Sequence, residues 1–308
     1  MALPLFRRPG SVAFLDDDEM FLELLGSTVP ARWNTAFFSA PDAFLAHLGQ
    51  ETPFWEADAW NQQEIVKHWR DKRTSLPEEV LSYWSRYTER YAPTRVCVVD
   101  QVMPAATGLD VLRELGGWHG LRVLLTGHAI DAVAVAAFNE RLIDRFATKQ
   151  GDQLGEHLAS LLQELQDSSD ERLDQIWRST LSAAQHQVLQ CASVAAELAP
   201  FLRRHFIEYV VIGEPFVVLG LTAEGDLGCV PLAMGEPAAG EISDRAVRES
   251  LGGLPGKSNT AAPRRFGQEG GLVGAFFPLH DIPRAPARTA SYSAWLQRQA
   301  PRMAEAAR

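Results

Sequence analysis

Four groups suited to holding and transferring a phosphoryl group each stand at the end of a run that reads as a strand. Val96-Cys97-Val98-Val99 ends in Asp100, followed by Gln101-Val102-Met103-Pro104 and then by Gly108-Leu109-Asp110-Val111-Leu112. Val12-Ala13-Phe14-Leu15 ends in Asp16-Asp17-Asp18-Glu19, Arg122-Val123-Leu124-Leu125 in Thr126-Gly127, and Ile143-Asp144-Arg145-Phe146-Ala147-Thr148 in Lys149. Four consecutive acids repel one another unless something compensates them. A hard divalent cation such as Mg2+ does so, taking carboxylate, carbonyl, water and phosphate oxygens. The same acids also suit a helix N-terminus, where the dipole favours negative charge, and an aspartate after a strand often caps the next helix. A hydroxyl and an ammonium both suit phosphoryl oxygens.

Such groups must be carried by a scaffold that brings strand ends together. Runs rich in β-branched residues, with helix patterns between them, predict buried parallel strands. Open α/β sheets place their chemistry at the carboxyl ends of such strands.

The order of acid pair, acid, threonine and lysine resembles the receiver domain of two-component response regulators, over about 1–50 and 94–166. The resemblance implies a doubly wound, flavodoxin-like sheet of five parallel strands. It implies that Asp100 is the phospho-acceptor, and that Asp16, Asp17, Asp100 and the main-chain carbonyl of Val102 hold Mg2+. Thr126 would bond a phosphoryl oxygen, Lys149 would pair with the phosphoryl group, and Phe146 would be the switch aromatic that moves with Thr126. The phosphate would come from a histidine kinase or phosphotransfer protein. One position departs from the pattern: Gln150 stands where receivers have a proline after a cis peptide. A cis bond before a non-proline residue costs about 2.5–4 kcal/mol. Either the loop is trans and differs, or its surroundings hold a strained form; both put the placement of Lys149 in question.

The chain has 308 residues, enough for two ordinary domains. With 29 Lys and Arg against 39 Asp and Glu, the net charge is −10. That balance argues against nonspecific nucleic-acid binding, which needs a cationic surface. Three cysteines, Cys97, Cys191 and Cys229, fit neither a disulfide framework nor a metal knuckle. No secretory signal and no membrane-spanning run is found, so a cytoplasmic protein without nucleic-acid or membrane partners is expected.

The receiver is expected to occupy 1–166, interrupted by a Trp-rich helical insertion at 51–93. This segment holds four of the eight tryptophans, at Trp55, Trp60, Trp69 and Trp84. Helices are predicted from about 56 to 72 and from 77 to 91. The second is opened by Pro77 and two acids, with an apolar stripe of Val80, Trp84, Tyr87 and Tyr91. A hairpin packed on itself and on the receiver accounts for the stripe; a partner-binding surface does so too.

Residues 167–206 read as one long linking helix. Its apolar series runs through Leu173, Trp177, Leu181, Ala184, Val188, Cys191, Ala195, Leu198 and Leu202. From Trp177 onward the alternating steps of four and three are those of a coiled coil, and a homodimer through 173–202 is expected; a long amphipathic helix packed on the last domain accounts for the series too. His186 is not read as a kinase histidine, because Gln187 follows it and no glycine boxes for ATP appear.

Residues 207–308 are expected to form an α+β output domain with strands at 208–213, 216–222, 227–232 and 271–279 and helices at 244–251 and 292–299. Gly252-Gly253-Leu254-Pro255-Gly256-Lys257-Ser258 nearly matches a phosphate-binding loop, but Leu251 replaces its first glycine and no strand precedes it. The expected function is a response regulator acting through protein contacts or dimerisation rather than DNA binding. No dedicated enzyme activity is expected beyond phosphoryl acceptance and self-dephosphorylation at Asp100. The alternatives are an enzymatic, hydrolase- or phosphatase-like output domain and a pseudo-receiver scaffold.

Overall fold

The computed structural model describes residues 3–29, 33–71, 74–127, 132–149, 154–168, 170–235, 263–267 and 271–279. In chain order the elements begin with β1 (Phe6–Arg7), β2 (Ser11–Leu15), α1 (Glu19–Thr28), β3 (Thr35–Phe38) and α2 (Pro41–Gly49). Then come α3 (Thr52–Arg70), α4 (Leu76–Arg86), β4 (Thr94–Asp100), α5 (Gly108–Glu114) and β5 (Leu121–Thr126). Next are α6 (Ala132–Asn139), β6 (Arg145–Thr148), α7 (Leu154–Asp167), α8 (Glu171–Arg178), α9 (Ala183–Gln190) and α10 (Ala192–His205). The strands β7 (Glu208–Gly213), β8 (Phe216–Leu221), β9 (Leu227–Met234), β10 (Arg264–Phe266), β11 (Leu272–Gly274) and β12 (Phe277–Leu279) complete the described chain. The chain divides into two compact units: 9–58 with 91–168, and 1–8 with 59–90 and 169–308.

The first unit is a parallel five-stranded sheet in the order β3-β2-β4-β5-β6. Counted within the unit, that order is the flavodoxin-like 2-1-3-4-5, so this is the α/β receiver fold that the sequence predicts. Alternation along the strands divides the core. Ala13, Leu15, Cys97, Val99 and Leu124 pack with Phe44, Leu48, Val111 and Leu112 on one face. Val12, Phe14, Val96, Val98, Val123 and Leu125 pack with Leu22, Leu25, Leu158 and Leu162 on the other. The central strands β2, β4 and β5 are buried on both faces and need helices on both, which explains their continuous apolar runs. Behind Asp100 the chain folds back so closely that Gly108 N donates to the Gln101 carbonyl at 3.0 Å. A Cβ on Gly108 would collide with the carbonyl oxygen of Asp100, so this glycine is required by close approach.

The second unit is an antiparallel sheet in the order β1-β7-β8-β9-β11-β10, with β12 also on β9. The expected strand at 271–279 is two short strands that pair with different parts of β9: β11 with Leu232–Met234, β12 with Leu227–Cys229. The expected helices at 244–251 and 292–299, and the glycine-rich segment at 252–258, lie outside the described residues.

Two expectations about this unit are corrected. From 59 to 90 the insertion does not pack as a receiver appendage, because Ala59, Ile65, Val66, Leu76, Val80, Tyr83 and Trp84 share a core with Trp177, Leu198 and the sheet residues Tyr209, Val211 and Val218. Its second helix ends at Arg86, so the stripe is split: Trp84 is buried and Tyr87 is 46% exposed. The N-terminal residues join the same core. Leu5 and Phe6 donate their N–H groups to Asp174 Oδ1 at 2.9 and 3.1 Å, and Phe6 pairs with Val210.

The long linking helix is three helices. Asp170 caps α8, and a capping box of Ser182 and Gln185 starts α9. Cys191, with φ −63° and ψ 123°, separates α9 from α10. Leu173, Trp177, Ala195, Leu198 and Leu202 are buried in this unit's own core, so they do not form an exposed coiled-coil seam.

Candidate functional site

The carboxyl ends of β2, β4, β5 and β6 bring the sequence-predicted groups together. Asp100 is the last residue of β4, and Asp16 directly follows β2; both are buried. Lys149, directly after β6, places Nζ 2.6 Å from Asp16 Oδ2 and 2.9 Å from Asp100 Oδ1. Its own N–H donates to the Thr126 carbonyl at 2.7 Å, which fixes the start of the side chain at the tip of β5. Val102 N donates to Asp100 Oδ2 at 3.3 Å.

The four acids separate into different roles. Asp16 Oδ1 accepts from Asp18 N at 3.1 Å. Asp18 is the N-cap of α1, its carboxylate accepting from Met20 N and Phe21 N at 3.0 and 3.2 Å. Glu19 lies in the first helical turn. Asp17 is exposed, yet a carboxylate oxygen from each of Asp16, Asp17 and Asp100 lies within 4.8 Å of the others. Among the described residues this is the one such group of three His, Cys, Asp or Glu side chains.

The electrostatics follow from burial. Burial pushes the Asp100 carboxyl above its ordinary value; the hydrogen bond and charge of Lys149 pull it back, and the charge of Asp16 adds to the rise. Burial alone would lower Lys149, but the hydrogen bonds and charges of Asp16 and Asp100 outweigh it, and its net shift is upward.

The donor set fits a small divalent cation. Three carboxylates supply hard oxygens, and Asp16 Oδ2 is buried with no directed hydrogen bond besides its ion pair to Lys149. Thr126, the last residue of β5, is fully buried. Phe146 lies opposite Leu124 in β6 and is 37% exposed. Gln150 lies outside the described residues.

Two groups near these elements carry no sequence signal. Lys149 Nζ stands over the ring of Phe21, 4.8 Å from its centroid. Only the first-turn position after the Asp18 cap hints at Phe21. At the opposite end of β4, the buried Glu51 accepts from Thr94 N at 3.0 Å, Thr94 Oγ1 at 2.7 Å and Trp118 Nε1 at 3.3 Å. Burial pushes its carboxyl up to about 7 against these bonds.

No family model matches the chain, and no curated protein matches it. Among solved structures it is similar to the response regulator LqsR of Legionella pneumophila, with a TM-score of 0.65 and 18% identity over 96% of this chain and 95% of that one. This likeness extends the shared fold over both units. Receiver domains from Methanospirillum hungatei JF-1 (TM-score 0.31, 12% identity, 56% of this chain and 98% of that one) and Francisella (0.32, 14%, 52% and 97%) also align.

Proposed function

We propose that this chain is a response regulator of a two-component phosphorelay, phosphorylated on Asp100 by a histidine kinase or phosphotransfer protein. The observation that carries the reading is the Lys149 ammonium held between Asp16 and Asp100 at the carboxyl end of the parallel sheet. A carboxylate attacks phosphorus only where the repulsion between anions is relieved. Asp16, Asp17, Asp100 and the main-chain carbonyl of Val102 are the groups that would hold Mg2+, which supplies charge neutralisation when bound.

The chain's own residues do the rest. Asp100 Oδ forms the new bond to phosphorus, and the bond to the donor breaks with its electron pair leaving on the donor. Lys149 moves from pairing a carboxylate to pairing a phosphoryl oxygen. Thr126 offers its hydroxyl to a second oxygen, and Phe146, now partly exposed, changes position as Thr126 moves. The acyl phosphate thereby biases the surface around β6.

Output is proposed to pass through protein contacts, the second unit supplying the surface and no DNA-binding element being invoked. A dimer through the 173–202 seam is not part of the proposal, since Leu173, Trp177, Ala195, Leu198 and Leu202 are committed to the core. The test is intact mass and light scattering with Mg2+ and acetyl phosphate, against Asp100→Asn. One phosphoryl mass on the unsubstituted protein alone, with a changed hydrodynamic state, is expected. Equal labelling of both would overturn Asp100 as acceptor.

A further inference from the structure

We propose that Phe21 is a positioning residue for Lys149, its ring face holding the ammonium at the phosphoryl-transfer site. The inference rests on the response-regulator reading and deepens it. Three contacts fix the tip of Lys149: Asp16 at 2.6 Å, Asp100 at 2.9 Å and the Phe21 ring at 4.8 Å. An ammonium over an aromatic face is attracted by the ring quadrupole.

The three contacts differ in what the reaction does to them. Asp100 loses its carboxylate when it becomes an acyl phosphate. Asp16 is a ligand that a cation would draw away from the ammonium. The ring of Phe21 is neutral, takes no part in bonding and keeps its face throughout, so it is the contact that persists from resting to phosphorylated protein.

The need for such a contact comes from the lysine itself. Its stem is four flexible carbons long, and its side chain is 24% exposed. Gln150 follows it in the sequence, so the backbone restriction that a following proline imposes is absent. The backbone bond to Thr126 anchors the base of the side chain, and the tip requires its own restraint. Phe21 is suited to provide it. Its N–H is capped by Asp18, and its partly buried ring packs on the core formed by Phe14, Leu25 and Leu158. One aspartate therefore fixes both the start of α1 and the platform under the lysine.

The experiment compares the full chain with Phe21→Leu and Phe21→Tyr. The first reading is the initial rate of Asp100 phosphorylation by acetyl phosphate with Mg2+, followed by intact mass. The second is the Lys149 ε-methylene resonance without donor, assigned by its loss in Lys149→Arg. Phe21→Leu is expected to slow phosphorylation roughly three- to tenfold and Phe21→Tyr to stay within about twofold, as the modest strength of a cation–π contact implies. The resonance is expected upfield in the unsubstituted protein and Phe21→Tyr, and relaxed in Phe21→Leu. If the unsubstituted protein takes up phosphate and Phe21→Leu keeps its rate, or Phe21→Tyr slows as much as Phe21→Leu, the inference is overturned. The same holds if the resonance is unshifted in the unsubstituted protein. If the unsubstituted protein takes up no phosphate while the resonance shows the ring contact, the response-regulator reading fails and the inference fails with it. Should Phe21→Leu not fold, Phe21→Trp against Phe21→Met makes the same comparison.

Discussion

Arg90 grips Glu208 through two nitrogens, Nε at 3.0 Å and Nη2 at 2.9 Å, in a pair whose side chains are 1% and 0% exposed. Its remaining nitrogen, Nη1, donates to the carbonyls of Trp84 and Tyr87 at 3.0 and 2.9 Å. The pair thus ties the end of the inserted helices to the first residue of β7. Breaking one side of a buried pair leaves an uncompensated charge, which typically costs about 3–5 kcal/mol. Arg90→Met should lose stability of that order in urea unfolding, and Arg90→Met with Glu208→Leu should recover much of it. A double variant as unstable as the single one would show that the bonds, not the stranded charge, dominate.

Glu51 makes a pH prediction. Its carboxyl rises from 4.5 to about 7 on folding, chiefly through burial. A carboxyl with a raised folded pKa binds its proton more tightly in the fold. Its stabilising contribution is fully present below pH 4.5 and is lost as pH rises through 7, about 3 kcal/mol in all. His47, whose Nε2 is 3.6 Å from Glu51 Oε1, is lowered by burial and acts in the opposite sense, gaining stability as pH rises towards its ordinary 6.5. The readout is therefore the difference between the unsubstituted protein and Glu51→Gln in melting temperature from pH 4.5 to 8. The glutamine variant should lose less on raising the pH; parallel curves would remove Glu51 as the titrating group.

Removing the ammonium from the acid cluster should tighten divalent cation binding. Lys149 pairs Asp16 and Asp100, so a cation at these carboxylates would compete with it, and losing that repulsion should outweigh the loss of side-chain order. In calorimetric titration Lys149→Met should bind Mg2+ roughly two- to tenfold more tightly while its phosphorylation falls by about two orders of magnitude. Weaker binding would place the cation elsewhere.

Leu198 distinguishes core from seam. It is fully buried in the second unit's core, so Leu198→Ala should cost about 2–5 kcal/mol in unfolding experiments whatever the protein concentration. A loss that vanishes at high concentration would restore the coiled-coil dimer.

The parallel unit is legible because β2, β4 and β5 carry continuous apolar runs, and Asp16, Asp100, Thr126 and Lys149 stand at or directly after the ends of β2, β4, β5 and β6. Asp16, Asp100 and Lys149 meet at one sheet end for that reason. Phe21 was not legible, since its contact with Lys149 is tertiary and neither residue's neighbours announce it. The core that the inserted helices join is not legible, because amphipathic periodicity shows that a face is buried, not against what. The apparent heptads failed similarly. The turn at Thr180–Ser182 and the extended Cys191 break the helix, and a spacing of four and three continues across both breaks without any physical seam.

The pairing of β1 with β7 has a consequence for synthesis. Phe6 must wait for Val210, its partner in the sheet. The strands of the parallel unit all lie between these two residues in the chain. As the polypeptide leaves the ribosome, the parallel unit can close first, while Leu3, Leu5 and the apolar faces of Val80 and Trp84 still lack the sheet that covers them. A nascent chain stalled before Glu208 would then carry a finished acid cluster and uncovered apolar surface, a species that chaperones would recognise. The strands from β7 onward all follow the parallel unit in the chain, so the sheet of the second unit forms after every strand of the first has been made.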